Sequence, residues 1–317
     1  MDQRTLGTSS LKVSPICFGG NVFGWTADEA TSFKLLDAFT EAGANFIDTA
    51  DVYSKWVEGN CGGESETILG KWLKRRGGRD QLVVATKVGM EMPGVGVGLS
   101  RVHIERSIDA SLTRLQTDYV DLYQSHADDA TTPIEETLDT YARLIKKGKV
   151  RFIGASNFSA ARLAGSLRIS RAHKLPAYVS LQPEYSLVHR AAYESELEPL
   201  CRRENIGVIG YYSLASGFLS GKYRPGSTEG ASPRAAKAAS YLTERGLRIL
   251  AALDAVSAAH HTNPTRIALA WLMARPGVTA PIASATTLAQ LHDLTEATRI
   301  ALTPAQIAAL NTASALP

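Results

Sequence analysis

The sequence predicts an α/β fold, a parallel (β/α)8 TIM barrel with an N-terminal β-hairpin and a long loop after strand seven. Short apolar runs alternate with helical patterns eight times, mostly at intervals of about 30–37 residues. A polar or aromatic residue also closes most of the strands at their carboxyl ends. A doubly wound sheet shares the alternation, but it gathers ligands at one switch point. The repeated strand-end residues therefore favour the barrel.

Composition sets the broad class of the protein. The 317 residues are 44% hydrophobic, enough for one barrel or two small domains, and no linker divides the chain, so we predict a single domain, 1–317. The net charge of 34 − 31 = +3 is too mild to indicate a nucleic-acid partner. The chain has three cysteines, an odd number without a recognisable spacing pattern, which is typical of a protein in a reducing cytoplasm. No signal peptide and no apolar run of membrane length are evident. These features predict a cytoplasmic protein without a membrane partner.

The first half of the chain opens with a hairpin around a Gly/Ser turn near residues 4–14. Thr26 and Glu29 suggest a capping box for the first helix, which Gly43 ends. Ser100 is predicted to cap a later helix. Thr132-Pro133-Ile134-Glu135 has the composition of a strong helix start. The predicted strands of this half are Ile16-Cys17-Phe18, the run to Asp48, Leu82 to Ala85 and Tyr119 to Tyr123.

The second half continues the alternation. Ser159 begins a helix, another lies near residues 194–203, and a polar Gly- and Ser-rich segment spans roughly 213–240. Helices follow near 243–260, from Asn263-Pro264 to Arg275, and from Thr287. The predicted strands here are Val150 to Gly154, Tyr178 to Leu181, Ile206 to Gly210 and Ala280 to Ile282.

The stretch from Asn45 to Tyr53 carries the most chemical information. It ends a buried strand at Asp48 and places Tyr53 five residues later. A phenol with a pKa near 10 is a poor proton donor at neutral pH. A lysine ammonium ~4 Å away would lower that pKa by about three units at an effective dielectric near 20. Lys87, at the end of the next strand, is the candidate lysine, and Asp48 could keep it charged.

Other strands end in residues of the same kind. Because a barrel collects its site at the carboxyl ends of its strands, we expect these side chains to converge. They are His126, Ser156, Asn157, Gln182 and Tyr211.

Six motifs occur in order along the chain: NFIDTADVYS, VVATKVG, VDLYQSH, RFIGASNFS, LQPEYS and GFLSGKY. Together they resemble the aldo-keto reductases, from the hairpin to about residue 300. Bacterial-type members and the potassium-channel β-subunit-like branch are among the resemblances. The resemblance implies a catalytic Asp, Tyr, Lys and His, which match Asp48, Tyr53, Lys87 and His126.

The chemistry of carbonyl reduction requires residues of these types, whether or not the chain resembles a known family. When hydride reaches a carbonyl carbon, the oxygen gains a proton, so a positioned acid is needed. Tyr53 would be that acid, Lys87 would stabilise the developing negative charge, and Asp48 would hold Lys87. His126 would orient the carbonyl oxygen or help to pass the proton. Alone, each of these residues would more often be a cap or an ordinary buried side chain.

The resemblance also implies an NADPH site. Ser156, Asn157 and Gln182 would bind the nicotinamide carboxamide, and Tyr211 would stack on the ring. Thr286 and Gln290 would lie at a helix N-terminus that accepts the 2′-phosphate; many relatives have Arg at 286, so Thr286 predicts a weaker preference for NADPH. The predicted pyrophosphate-covering segment comprises Leu214, Ser216, Gly217, Leu219 and Lys222.

Other sites receive no support from the sequence. The seven histidines form no metal-binding pair, and no GxSxG motif occurs, so we predict no metal and no serine hydrolase. Trp25, Trp56 and Met90 follow early strands and are candidates for an apolar substrate pocket or for ordinary loop packing. The oligomeric state is not predicted.

Two functions of different class agree with the sequence. The first is an NADPH-dependent reductase of small aldehydes or ketones. The alternative is an NADP-binding regulatory or redox-sensing subunit with slow turnover, because channel-associated relatives keep the same residues.

Overall fold

The computed structural model describes residues 1–226 and 233–315. Residues 227–232, within the predicted Gly- and Ser-rich segment, lie outside the described residues. The described residues form ten strands: β1 (Arg4–Thr5), β2 (Lys12–Val13), β3 (Cys17–Gly19), β4 (Phe46–Asp48), β5 (Val83–Val88), β6 (Val120–Ser125), β7 (Val150–Ser156), β8 (Tyr178–Gln182), β9 (Gly207–Val208) and β10 (Ile282–Ala283).

Helices follow the strands in the predicted rhythm. Those in the described residues are α1 (Glu29–Glu41), α2 (Glu64–Arg76), α3 (Arg101–Leu115), α4 (Ile134–Lys146), α5 (Ala160–His173), α6 (Glu198–Glu204), α7 (Ala235–Ala239), α8 (Glu244–Ala259), α9 (Pro264–Ala274), α10 (Leu288–Glu296) and α11 (Pro304–Ser314). A π-helical turn, Tyr193–Leu197, leads into α6.

The central sheet has eight parallel strands in the order β10-β3-β4-β5-β6-β7-β8-β9. Backbone hydrogen bonds join its two ends, because Thr279 N–H donates to Val208 O and Ile282 N–H to Gly210 O, both at 2.8 Å. The strands β1 and β2 form a separate antiparallel hairpin. The predicted (β/α)8 fold with an N-terminal hairpin is confirmed.

Two apolar layers hold the barrel together. The inner layer fills the barrel with alternate strand residues such as Phe46, Val83 and Leu122, and the hairpin side chains Leu6 and Val13 belong to it. The outer layer packs the other strand faces against the helices. Since Phe46 and Val83 lie at the amino ends of their strands, the hairpin covers that end of the barrel. The carboxyl ends remain for the site.

Several predicted helix starts differ in detail. Asp28, rather than Thr26, caps α1 by accepting from Thr31 N–H at 2.8 Å. Pro133 stands at the cap of α4, while the Thr132 hydroxyl donates to Asp129. The Ser100 side chain makes no capping hydrogen bond. At α3, the Glu136 carboxylate accepts instead from Arg101 N–H at 2.9 Å.

The helix α11 lies beyond residue 300, where the resemblance seen in the sequence ends. Its start has Thr303 as the cap, Pro304 in the first turn and Gln306 closing a capping box. These are recognisable sequence signals. The prediction stopped short because the six motifs end before this helix.

Candidate active site

The site is built by the alternation of side chains along strands. Phe46, Ala85 and Leu122 point into the barrel. The residues two positions later, Asp48, Lys87 and Gln124, therefore point inward near the carboxyl end. All three side chains are fully buried. Charged groups buried to this degree need partners, because desolvation of an unpaired charge is costly.

Lys87 is the centre of the hydrogen-bonding network. Its Nζ donates to Asp48 Oδ2 at 2.6 Å, to Thr49 O at 2.8 Å and to the Tyr53 hydroxyl at 2.7 Å. An ammonium has three protons, and these three acceptors use them all. The structure therefore brings the predicted Asp, Tyr and Lys together.

Two further hydrogen bonds hold the second carboxylate oxygen of Asp48. Its Oδ1 accepts from Gln124 Nε2 at 2.9 Å and from Gln182 Nε2 at 3.0 Å, and Gln182 also donates to Gln124 Oε1. Gln124 is not among the site residues predicted from the sequence. The signal was present, since a polar residue at an inward strand position must be satisfied inside the barrel.

The acidity of Tyr53 differs from the prediction. Removal of the hydroxyl from water raises the pKa of Tyr53 well above its ordinary value, and the Asp48 carboxylate, 3.4 Å away, adds to the rise. From the sequence, Lys87 is predicted to lower this pKa. That direction is wrong, because burial of the phenol, followed by the Asp48 charge, decides the direction of the shift. Tyr53 is a neutral phenol at pH 7.

His126 lies next to Tyr53, with ring centroids 6.0 Å apart. Burial lowers the pKa of His126 well below its ordinary value, and the nearby Lys87 and Lys55 charges lower it further. The imidazole is therefore neutral at pH 7. Its buried Nδ1 has no hydrogen-bond partner among the described residues.

The residues predicted to bind the carboxamide form a connected group. Asn157 Nδ2 donates to Ser156 Oγ at 3.1 Å, and the Tyr211 hydroxyl donates to Asn157 Oδ1 at 2.8 Å. Ser156 Oγ donates to Gln182 O. These contacts place Ser156, Asn157, Gln182 and Tyr211 side by side, next to the Asp48 network.

The loop after β9 has an unusual backbone at Ser216 and Gly217, whose φ values of 59° and 91° are left-handed. The Cε of Lys222 lies 3.5 Å from where a Cβ on Gly217 would be. Leu214 is half-buried, whereas the side chain of Leu219 is fully buried in the outer core. Only main-chain atoms of Leu219 remain for a ligand contact.

At the start of α10, Gln290 Oε1 accepts from both the backbone N–H and the hydroxyl of Thr286, at 2.8 and 3.1 Å. Thr287 is the N-cap. Arg224, in the loop after β9, pairs with Asp254 at 2.7 Å.

An aromatic cluster lies beside Tyr53. Trp25 and Trp56 meet edge to face at 5.6 Å, and Trp56 lies 6.1 Å from the Tyr53 ring. The guanidinium of Arg234 stands over Trp25 at 5.0 Å, a contact that the sequence did not predict. Met90 is half-buried in the loop after β5.

Residues 1–226 and 233–315 contain no group of three or more His, Cys, Asp or Glu side chains that could hold a metal ion. Within the same ranges, no helix combines the length and the apolar character needed to cross a bilayer.

Comparisons with known proteins identify the family of the chain. The family model described as "Aldo/keto reductase family" matches residues 15–315. An uncharacterised oxidoreductase of Bacillus subtilis is 36% identical over 309 residues, covering 95% of this chain and 92% of that protein. A probable voltage-gated potassium channel subunit beta of Arabidopsis thaliana is 34% identical, with coverages of 92% and 90%. Norsolorinic acid reductase of Aspergillus flavus is 31% identical, with coverages of 96% and 79%. The chain belongs to the aldo/keto reductase family.

Proposed function

We propose that this protein reduces aldehyde or ketone carbonyls to alcohols with NADPH. The observation that carries the proposal is the Lys87 ammonium, which is bonded at once to Asp48, Thr49 and Tyr53. Tyr53 is a neutral phenol hydrogen-bonded to a buried cation, so it can donate a proton and the cation can stabilise the phenolate that remains. Family membership supports oxidoreductase chemistry of this kind.

The surroundings of the site fit a nicotinamide dinucleotide. Ser156, Asn157 and Gln182 offer amide and hydroxyl groups beside the Tyr211 ring. The left-handed backbone at Ser216 and Gly217 allows a close main-chain approach, and Lys222 adds a cation near it. Arg234, over the Trp25 ring, supplies a second cation beside the aromatic cluster. When bound, the cofactor supplies the hydride.

The residues of the chain would handle the proton. Tyr53 donates its phenolic proton to the carbonyl oxygen of the substrate. Lys87 stabilises the Tyr53 phenolate that this leaves, and Asp48 keeps Lys87 charged and in place. The neutral His126 imidazole donates a hydrogen bond from Nε2 to the same oxygen. Trp25 and Trp56 would form an apolar wall for the organic part of the substrate, with Met90 as a further candidate.

The raised pKa of Tyr53 does not prevent this role. A general acid must be protonated before reaction, and burial ensures that it is. The cost of forming the phenolate is offset by the charge of Lys87 at 2.7 Å.

The test is the loss of near-ultraviolet NADPH absorbance with a panel of simple aldehydes, quinones and ketosteroids. We expect turnover with at least one class. The relatives that are named as potassium channel subunits favour a second candidate, an NADP-binding regulatory or redox-sensing subunit. Tight cofactor binding without turnover on any compound would select this second function.

Cofactor preference gives a further prediction. We expect NADPH to bind more tightly than NADH, because the N-terminal N–H groups of α10 and the Thr286 hydroxyl would hold the 2′-phosphate. In the structure Gln290 accepts from that hydroxyl, so binding must redirect it and the preference should be modest. Thr286→Arg should widen the preference by roughly tenfold or more, since charge-assisted hydrogen bonds contribute about 1.5–3 kcal/mol each.

Fluorescence quenching gives the dissociation constants of both cofactors for this comparison. Thr303→Arg, at the cap of α11, is a matched control that adds the same charge at a different helix N-terminus. Equal affinity for the two cofactors in the unaltered protein would contradict the assignment of Thr286.

A further inference from the structure

We propose that Gln124 is a positioning residue: it fixes the Gln182 amide so that only its carbonyl oxygen faces the nicotinamide carboxamide, and it helps to hold Asp48 against Lys87. The inference rests on the proposed binding of a nicotinamide cofactor beside Gln182. It adds a fully buried side chain, which reaches the reaction only through its neighbours.

Asp48, Gln124 and Gln182 form one polar layer across the barrel. They lie near the carboxyl ends of β4, β6 and β8, and alternate strands of a barrel contribute to the same layer of inward side chains. Asp48 and Gln124 are fully buried, and Gln182 is nearly so. Gly154, on the intervening strand β7, leaves room for this layer, because a Cβ there would lie 3.1 Å from Gln124 Cγ. Gln124 therefore packs closely against the β7 backbone.

The hydrogen bonds determine which way each amide points. The Asp48 carboxylate, paired with Lys87, has only acceptor atoms. Gln124 and Gln182 must therefore both turn Nε2 toward Asp48 Oδ1, at 2.9 and 3.0 Å. Gln124 then offers its Oε1 to the second N–H of Gln182, at 3.1 Å. Both protons of the Gln182 amide nitrogen are used inside the layer, and neither is left for a ligand.

The carbonyl oxygen of Gln182 is the side-chain atom that this arrangement leaves for a ligand. Oε1 accepts no hydrogen bond within residues 1–226 and 233–315, and it is not fully enclosed. Ser156, which is predicted to bind the same carboxamide, lies next to it, since its hydroxyl donates to Gln182 O at 2.9 Å. An acceptor oxygen at this place suits the NH2 group of the carboxamide and disfavours a ring substituent that has no N–H donor.

Gln124 makes this orientation the favoured one. Without Gln124 Oε1, one N–H of Gln182 would lose its acceptor, and a buried donor without a partner is costly. The amide would then gain by rotating that N–H toward the ligand. There it would stand against the carboxamide NH2, donor against donor, and the selectivity for the carboxamide would fall.

The same contacts connect the cofactor site with the acid. The two amides hold Asp48 Oδ1, and Asp48 Oδ2 accepts from Lys87 at 2.6 Å. The Lys87 Nζ also donates to the Tyr53 hydroxyl at 2.7 Å. Loss of one donor from Oδ1 would let the Asp48 carboxylate shift and would displace the Lys87 ammonium with it. The Tyr53 proton would then be less well placed for transfer.

The binding test uses NADPH and its acetylpyridine analogue, in which a methyl group replaces the NH2 of the carboxamide. Quenching of tryptophan fluorescence gives both dissociation constants and needs no turnover. In the unaltered protein we expect NADPH to bind about tenfold more tightly, because the analogue leaves Gln182 Oε1 without a donor. In Gln124→Met, which has a side chain of similar size without hydrogen-bond donors, this preference should shrink to about threefold or less.

Ser180→Ala is the matched control. Ser180 lies two positions before Gln182 on β8, is fully buried, and has a hydroxyl without a hydrogen-bond partner among the described residues. Its replacement alters the same interior without removing a hydrogen bond, so the preference for NADPH should equal that of the unaltered protein. Gln124→Asn retains the amide but shortens the side chain by one methylene. It should change the preference in the same direction as Gln124→Met, and it carries the test if the Met variant does not fold.

Kinetics give a second measurement on the same variants. We expect Gln124→Met to lower kcat by about tenfold or more, since hydrogen bonds to charged groups are among the stronger ones. KM for the carbonyl substrate should stay nearly unchanged, because the fully buried Gln124 does not reach the substrate. A variant that only destabilised the fold would not separate kcat from KM in this way.

The outcomes distinguish this inference from the proposed function. If Gln124→Met weakens the binding of NADPH and of the analogue by the same factor, Gln124 does not orient Gln182, and the inference is overturned. Equal affinity of the unaltered protein for the two cofactors, or an unchanged kcat in Gln124→Met, also overturns it. The expected preference without turnover on any carbonyl compound contradicts the proposed reductase but supports the role of Gln124 in cofactor recognition.

Discussion

Replacing Tyr53 with Phe is expected to lower the rate of carbonyl reduction by ~10²–10⁴-fold while the cofactor still binds. The substitution removes one oxygen atom and with it the proton that the carbonyl oxygen must gain. The ring, which contacts Trp56 and His126, remains in place. The measurements are kcat and KM with the best substrate of the panel, together with the dissociation constant for NADPH.

Tyr119→Phe is the matched control, because it deletes the hydroxyl of a half-buried tyrosine that precedes β6, at the opposite end of the barrel. Its kinetics should equal those of the unaltered protein. If Tyr53→Phe retains activity within a few-fold, Tyr53 is not the acid, and a water molecule or His126 must donate the proton.

Replacing Lys87 with Met should cost nearly as much activity and should also destabilise the fold. Activity falls because nothing then stabilises the Tyr53 phenolate as the proton leaves. Stability falls because Asp48, fully buried and bonded at 2.6 Å, is left without a cation, which typically costs about 3–5 kcal/mol. Kinetics and chemical denaturation measure the two effects separately.

The double variant Asp48→Asn, Lys87→Met separates the two roles. With no charge left unpaired, it should recover much of the lost stability but none of the activity. Lys71→Met is the surface control, since its pair with Glu29 is about half exposed and should contribute at most about 1 kcal/mol. Full activity in Lys87→Met would show that the phenolate needs no cation, and the proposed chemistry would have to be abandoned.

The fold and the meeting of the strand-end side chains were accessible from the sequence because they depend on local patterns. Alternating apolar residues defined the strands, and parallel topology requires their carboxyl ends to meet on one side. Asp48 and Lys87 could therefore be placed together without coordinates, and the structure joins them at 2.6 Å. The family was recognised from motifs at the same strand ends, and the comparison with the family model confirms it.

Only the tertiary structure determined the pKa shifts and the partners of the buried polar side chains, because these depend on burial and on residues distant in the chain. The sign of the Tyr53 pKa shift was predicted wrongly, because a sequence shows that a lysine exists but not how deeply the phenol and Asp48 are buried with it. Gln124 and Gln182 meet on Asp48 only when three strands are curved around one axis. Arg114, which lies 48 positions from Glu66 in the chain, becomes its partner. Short-range periodicity determines which side chains face inward, but the electrostatic energy of each buried group depends on all the charges around it, and those come from every part of the chain.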